Sequence, residues 1–442
     1  MLIQFSVSNF KTFKDKVTLS MVASNYDKET REAENVVMNS KHAIRYLKSA
    51  VIYGANASGK SKFMEAMMFM RTFTINSSKD SQKGDEISIE PFRLNSETMN
   101  SSSEFEVIFL QDDIQYRYGF EVTKEHIVAE WLYQKPNTKE IELFYRDYQE
   151  FEIHARNFKK GAFAVKEGLV RDNALLLSLA AQLNDEIAIS VINWFKRLKT
   201  ISGLREEGFQ GYTMGKTKDP NTKLRIVEFL KAADLGIQDV SLEVVDIDKL
   251  PKDLPKELSD RILQELKDEQ SEIVSDVITS HKQYDESHNY IGDVHFSMEA
   301  DESSGTKKFF AISGPLLDVL ENGYTLVVDE LDSKLHPNLV GKIVSLFNSK
   351  EFNPNNAQLI FNTHNTNLLS AELFRRDQIW FIEKNKYAEA KLYSLADFKS
   401  DNVRKTEAFE DNYIRGKYGS IPYLGFFDSD LLKETLLQEN LT

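Results

Sequence analysis

Gly54-Ala55-Asn56-Ala57-Ser58-Gly59-Lys60-Ser61 is the stretch that decides the fold. It follows a short apolar run, residues 50–53, and leads into Lys62-Phe63-Met64-Glu65-Ala66-Met67-Met68-Phe69-Met70, whose residue types favour a helix. Strand, glycine loop and helix is the setting that a G-x-x-x-x-G-K-[ST] phosphate loop requires. The glycines let the backbone turn tightly, so that successive N–H groups and the N-terminus of the helix converge on phosphate oxygens. Gly54, Asn56, Ala57, Ser58, Gly59, Lys60 and Ser61 are therefore candidate nucleotide-binding residues. Lys60 is placed to reach the β- and γ-phosphates, and Ser61 to hold Mg²⁺.

The chain of 442 residues is long enough for more than one core, and two or three lobes are expected. Its 41% apolar and 28% charged residues describe an ordinary globular protein. No apolar run approaches the roughly 18 residues of a membrane span. The first ten residues alternate like a strand and lack the basic start and cleavage site of a signal peptide. Zero cysteines exclude disulfides and thiolate metal sites, which fits a reducing cytoplasm. A net charge of −14 argues against a surface that coats DNA uniformly, and leaves nucleic acid only local basic patches.

Residues 1–20 read as two short strands and a turn, and the polar stretch 24–43 as a loop. Residues 74–90, rich in Ser, Lys and Asp, suggest a flexible connection. From Phe105 to Trp131 the pattern alternates around a turn at Gln111-Asp112-Asp113, which makes an antiparallel sheet. Helices are expected over 173–180 and 187–198. In the charged stretch 246–286, Leu258, Ile262, Leu266 and Ile273 recur at near-helical spacing over 257–277, so a charged amphipathic helix is expected, either on an exposed arm or packed flat on the body. Strands at 293–298, 324–328, 358–362 and 378–383, with helices after Ser303 and after Pro337, describe a largely parallel sheet. The expected organisation is α/β: residues 1–175 as the N-terminal half of a nucleotide core with an antiparallel β lobe, 176–292 as a mostly helical insertion, and 293–442 as the C-terminal half.

Tyr324-Thr325-Leu326-Val327-Val328-Asp329-Glu330 is a buried-type strand ending in two carboxylates. Asp329 at the strand's C-terminal edge can hold Mg²⁺ beside Ser61, and Glu330 can accept a proton from an attacking water. Such a pair alone more often marks a turn or a helix cap; the phosphate loop upstream reverses that balance. Thr363-His364-Asn365 ends the next strand, where His364 can donate to a γ-phosphate or position the water.

With these residues in place the chain resembles the ATP-binding-cassette type of ATPase, in the branch shared by SMC proteins, RecF and the overcoming-lysogenization-defect ATPases. The resemblance rests on Asn9-Phe10-Lys11-Thr12-Phe13, the phosphate loop, Asp329-Glu330, the D-loop Leu331-Asp332-Ser333, His364, and Glu302-Ser303-Ser304-Gly305-Thr306, which looks like the signature motif. It implies ATP and Mg²⁺ as cofactors, contacts from Lys11 and Asp332, and a head-to-tail dimer in which Ser303 and Gly305 meet the γ-phosphate bound by the opposite subunit. Ser304 replaces the usual first glycine. Residues 171–178, 332–337, 375–381 and 413–422 look like the stand-alone ATPase subunits of bacterial abortive-infection and anti-phage systems of the RloA and AbiL kind. That resemblance implies a cytoplasmic switch controlling a separate effector, a nuclease or Toprim-type protein. Asp428-Ser429-Asp430 is too close to the end of the sequence to belong to a Toprim domain and reads as a helix cap. Two other functions compete: a repair ATPase acting directly on DNA, and a scaffold that holds ATP with little turnover.

Overall fold

The computed structural model describes residues 1–203, 207–244, 274–398 and 408–422. They belong to two compact units, Met1–Leu198 with Gln358–Thr442, and Lys199–Ala357. The cap expected at Asp428 and most of the amphipathic helix expected over 257–277 lie outside the described residues.

The first unit opens with the antiparallel pair β1 (Leu2–Ser8) and β2 (Val17–Ser20). The stretch expected to be a loop carries α1 (Glu32–Asn35) and a hairpin of β3 (Val36–Asn39) and β4 (Ile44–Leu47). A distant partner organises it: the buried Asn35 amide donates to the Leu373 carbonyl at 3.1 Å and to Gln378 Oε1 at 2.6 Å. β5 (Ser49–Tyr53), buried at every position, feeds the glycine loop and α2 (Lys60–Asn76). Residues 77–90 are tied down rather than free. Asn173 Nδ2 donates to the carbonyls of Gln82 and Asp85 at 2.7 and 3.1 Å, and Ile87 and Ile89 are buried.

Five further strands, β6 (Ser103–Gln111), β7 (Ile114–Val122), β8 (Ile127–Lys135), β9 (Ile141–Asp147) and β10 (Glu150–Ile153), join β1 and β2 in the order β10-β9-β8-β7-β6-β1-β2. The β6–β7 turn has Asp112 and Asp113 at φ 51° and 58°, the doubly positive geometry that matches strand twist. The phosphate-loop helix meets this sheet through rings: Phe63 lies edge-on to Phe5 at 5.5 Å, and Phe69 is 5.0 Å from Phe105. Helices α3 (Lys159–Lys166), α4 (Leu176–Gln182) and α5 (Glu186–Arg197) follow, α5 capped by Asp185.

The second unit takes in β11 (Leu198–Ser202) from its second residue, then α6 (Glu207–Thr217) and α7 (Pro220–Ala232). A three-stranded antiparallel sheet of β12 (Ile237–Val244), β13 (Val274–Tyr284) and β14 (Tyr290–Ser297) comes next. Residues 274–277, expected to close a helix, are the start of β13. The unit ends with α8 (Ser304–Asn322), β15 (Thr325–Asp329) and α9 (Pro337–Asn348). Pro315 inside α8 has no N–H for the Ala311 carbonyl one turn back, and the buried Thr213 hydroxyl of α6 donates to that carbonyl at 2.7 Å instead.

The chain then returns to the first unit. β16 (Gln358–Asn362) and β17 (Ile379–Lys384) both pair parallel with β5, and β18 (Ala390–Ser394) pairs antiparallel with β17. The short helix α10 (Phe409–Ile414) follows. The class is α/β, with mixed and antiparallel sheets.

One buried ion pair joins the antiparallel sheet to the segment 171–178. Glu130 on β8 and Arg146 on β9 are both fully buried, 3.7 Å apart. The Glu130 carboxylate accepts from the N–H groups of Leu176 and Leu177 at 2.7 and 3.0 Å and from the Tyr118 hydroxyl at 3.0 Å. Arg146 donates to the carbonyls of Ala174, Arg171 and Asp172. Removing one partner strands a charge in the core. Arg146→Met should cost about 3–5 kcal/mol in urea unfolding. Adding Glu130→Gln should recover part of that loss; an additive further loss would contradict the stranded-charge account.

Candidate nucleotide site

The phosphate loop is shaped by what its glycines admit. A Cβ on Gly54 would stand 2.5 Å from the Ile382 carbonyl oxygen and 2.6 Å from Ser58 Oγ. Gly59 has φ +118°, and its Cβ would stand 2.7 Å from Thr12 Oγ1. Neither position tolerates a side chain without displacing the loop. Ala57, at φ 59°, adds a left-handed residue that bends the chain back on itself. Lys60 is only 5% exposed, and its ammonium donates to the carbonyls of Gly54 at 2.7 Å and Ala55 at 3.1 Å, so it is seated over the loop. Ser58 Oγ and Thr12 Oγ1 are buried with no hydrogen-bond partner among the described residues. A cradle that a Cβ would fill, an orphaned hydroxyl and a lysine at the N-terminus of a 17-residue helix suit a polyphosphate.

Neighbouring elements of the same unit fix the loop's surroundings. β16 runs parallel to β5 with Asn362 opposite Ile52, and Thr363 N–H donates to the Ile52 carbonyl at 3.3 Å. His364, exposed, therefore leaves the sheet beside the strand that enters the loop. Lys11, at φ 52° in the turn after β1, binds Glu65 of α2 at 2.5 Å and lies 3.6 Å from Glu90. Burial works to raise the Glu65 pKa, but hydrogen bonds from Lys11 and Lys62 outweigh it and hold the carboxyl below its usual value.

Motif reading missed a third set of residues. Ser420 Oγ donates to the Ile382 carbonyl at 2.5 Å and lies 3.2 Å from where a Gly54 Cβ would be. Tyr413 stacks on Phe381, with its ring 5.7 Å from Tyr53, and its hydroxyl donates to the Ser420 carbonyl. The segment 413–422 thus backs the first glycine of the loop. The only signal for it was its likeness to one subgroup of ATPases.

In the second unit β15 delivers Asp329 and Glu330 into a constrained turn. Gly203 N–H donates to the Asp329 carbonyl at 2.6 Å, and a Cβ on Gly203 would fall 2.1 Å from the Glu330 carbonyl oxygen. Glu330 adopts φ +55°, a left-handed conformation uncommon outside glycine and Asx residues. Ser333 N–H donates to the Glu330 carbonyl at 3.2 Å and Leu335 N–H to the Asp332 carbonyl at 3.1 Å, which coils residues 330–335. Ser303, exposed, caps α8: its Oγ accepts from Thr306 N–H at 3.1 Å. Gly305 is needed because its Cβ would stand 2.9 Å from the Lys334 carbonyl. The start of α8 and the Asp329–Lys334 turn are therefore adjacent. Before Ser303, the Glu302 carboxylate is held by Thr279 Oγ1 and His281 Nε2 of β13, each at 2.7 Å.

No curated protein matches the chain. Among solved structures, the SMC head domain from Thermotoga maritima is similar at 12% identity and a TM-score of 0.37, covering 89% of this chain and 98% of that one. The Smc head domain with an extended coiled coil bound to the C-terminal domain of ScpA, from Pyrococcus furiosus, is similar at 12% identity and a TM-score of 0.34, covering 89% and 96%. The family model described as "AAA domain, putative AbiEii toxin, Type IV TA system" matches residues 49–370, from the strand before the phosphate loop to beyond His364, and the chain belongs to this AAA-domain family.

Proposed function

We propose that this protein is a Mg²⁺-dependent ATPase that dimerises head to tail around nucleotide and acts as a cytoplasmic switch on a separate effector, a nuclease or Toprim-type protein, in a bacterial abortive-infection system. The observation that carries the ATPase reading is the tight glycine loop with Lys60 seated over it and the buried Ser58 Oγ unpartnered beside Gly54. The family's toxin–antitoxin description supports the defence setting. No helix among the described residues is long and apolar enough to cross a membrane.

In this reading the backbone of residues 54–61 binds the β- and γ-phosphates and Lys60 neutralises them. Ser61 and Asp329 hold Mg²⁺, which offsets charge on the phosphate oxygens. Glu330 takes the proton of the attacking water, and His364 donates to the γ-phosphate. Lys11 reaches the nucleotide from the turn after β1. Ser303 and Gly305, at the exposed N-terminus of α8, meet the γ-phosphate of the opposite subunit's nucleotide with Asp332 beside them.

Lys60→Ala should abolish ATP binding in calorimetry, because the remaining cradle is made of backbone dipoles alone. Unchanged affinity in a folded variant would sink the phosphate-loop assignment. Glu330→Gln should bind Mg·ATP, accumulate as a dimer by light scattering, and hydrolyse about 10²- to 10⁴-fold more slowly. Turnover near wild type would move the base elsewhere, His364 being tested next. Ser303→Arg should bind ATP and not hydrolyse it. Mixed with Lys60→Ala it should restore roughly a quarter of the wild-type sites, since random pairing leaves one intact site per mixed dimer. Normal hydrolysis by Ser303→Arg, at a specific rate constant on dilution, would show that each subunit works alone.

A further inference from the structure

Lys308 lies on α8 a little over one turn beyond Ser303 and is 1% exposed. Its ammonium donates to the carbonyls of Glu330 at 3.4 Å, Leu331 at 3.3 Å and, more closely, Ser333. Burying an ammonium is costly unless its donors are satisfied, and a helix seeking only apolar contact would carry a side chain like those of the adjacent Phe309 and Phe310. What the cation holds is the turn that bears the Asp329–Glu330 carboxylates and Asp332. On another side the same turn is closed by Gly203, which leaves no room for a Cβ beside the Glu330 carbonyl.

We infer that Lys308 is a positioning residue that locks the Glu330 turn to the signature helix, so that whatever Ser303 binds is felt at the carboxylates. The inference rests on the ATPase reading above. Three carbonyls of the coiled turn face one ammonium with Glu330 in its left-handed conformation, and an ammonium so placed favours that conformation. Gly305 lets the start of α8 pack closely against the Lys334 carbonyl, so a shift of the helix N-terminus towards the turn presses on it while Lys308 ties the two together. In a head-to-tail dimer, nucleotide held by one subunit and touched by the other's Ser303 would thereby set the geometry of that other subunit's Glu330.

The test uses the full chain. Lys308→Met should lower kcat by roughly 10²-fold, as a displaced catalytic group does, with KM for ATP within about twofold of wild type because the phosphate loop is untouched. Lys308→Arg, which keeps a cation over the same carbonyls, should recover most of the loss. A folded Lys308→Met with wild-type kcat, or with its loss wholly in KM, overturns the inference. Should Lys308→Met fail to fold, Lys308→Gln takes its place: a lowered kcat at constant KM is expected, and a wild-type kcat overturns it. A wild-type chain that does not hydrolyse ATP would remove the ATPase reading, and Lys308 is then judged by hydrogen exchange. The Ser333 and Leu335 amides should exchange about tenfold faster in the variant than in wild type; unchanged exchange overturns the locking role.

Discussion

The close approach of three backbone segments at Gly54 is the constraint on which the loop half of the first unit depends. β5 and β17 pair in parallel with Ile52 opposite Trp380 and Tyr53 opposite Phe381, so the next step along β17 presents the Ile382 carbonyl to Gly54. Ser420 donates to that same carbonyl, and Ser58 folds in from the far side of the loop. Sheet register therefore decides where the loop begins, and the loop decides where α2 starts. Through Phe63 and Phe69 the helix then sets the contact with the antiparallel sheet. A side chain at Gly54 would disturb all of these at once, because packed interiors transmit displacement rather than absorb it.

The elements legible in the sequence are those specified by their own residues. β5, β15 and β16 are short strands built on three or four consecutive apolar residues and bounded by turn signals, and β6 and β7 show an alternating pattern around two aspartates suited to a tight turn. The hairpin of β3 and β4, which begins inside 24–43, and the anchored course of 77–90 were not legible. Their polar composition suits a loop, and what orders them comes from far along the chain: Gln378 for Asn35, and Asn173 for the carbonyls of Gln82 and Asp85. The start of β13 was hidden for a different reason, since Ile273, the residue before it in the chain, continues the near-helical spacing of Leu258, Ile262 and Leu266. Among the candidate residues of the two units, Lys60, Ser61, Asp329, Glu330 and Ser303 carry motif spacing. Gly203, Lys308 and Ser420 do not: each acts on a backbone carbonyl, and a carbonyl leaves no trace in the sequence.

Buried charge is used in the same way at two other places. Arg375, fully buried, pairs with Asp377 at 2.9 Å and Glu32 at 3.1 Å and donates to the carbonyls of Thr30 and Asp27, while Arg45 also pairs with Glu32. This network fastens residues 27–45 to residues 375–378, as Glu130 and Arg146 fasten β8 and β9 to residues 171–178. An apolar cluster of equal volume could stabilise such junctions as well or better. Guanidinium forks aimed at particular carbonyls add direction, because only one arrangement of the two segments satisfies every donor. Residues 171–178 and 375–378 each take part in one of these junctions.

The conformation of Glu330 bears on whether the protein turns nucleotide over or only holds it. A left-handed glutamate costs of order 1–3 kcal/mol and persists only where its surroundings over-determine it, and here Lys308 donates to its carbonyl while Gly203 packs against that carbonyl and donates to the one before it, of Asp329. A scaffold needs ATP bound but has no use for a costly backbone conformation under that carboxylate; its turn could relax, and an apolar residue could replace Lys308. A hydrolase needs the carboxylate fixed before the water arrives, because reorganising it during the reaction would add to the barrier. The strain sits at the carboxylate best placed by motif to be the base, which favours turnover over storage. Direct action on DNA draws no comparable support, since the chain carries a net charge of −14, and attraction to phosphates strengthens with each basic contact.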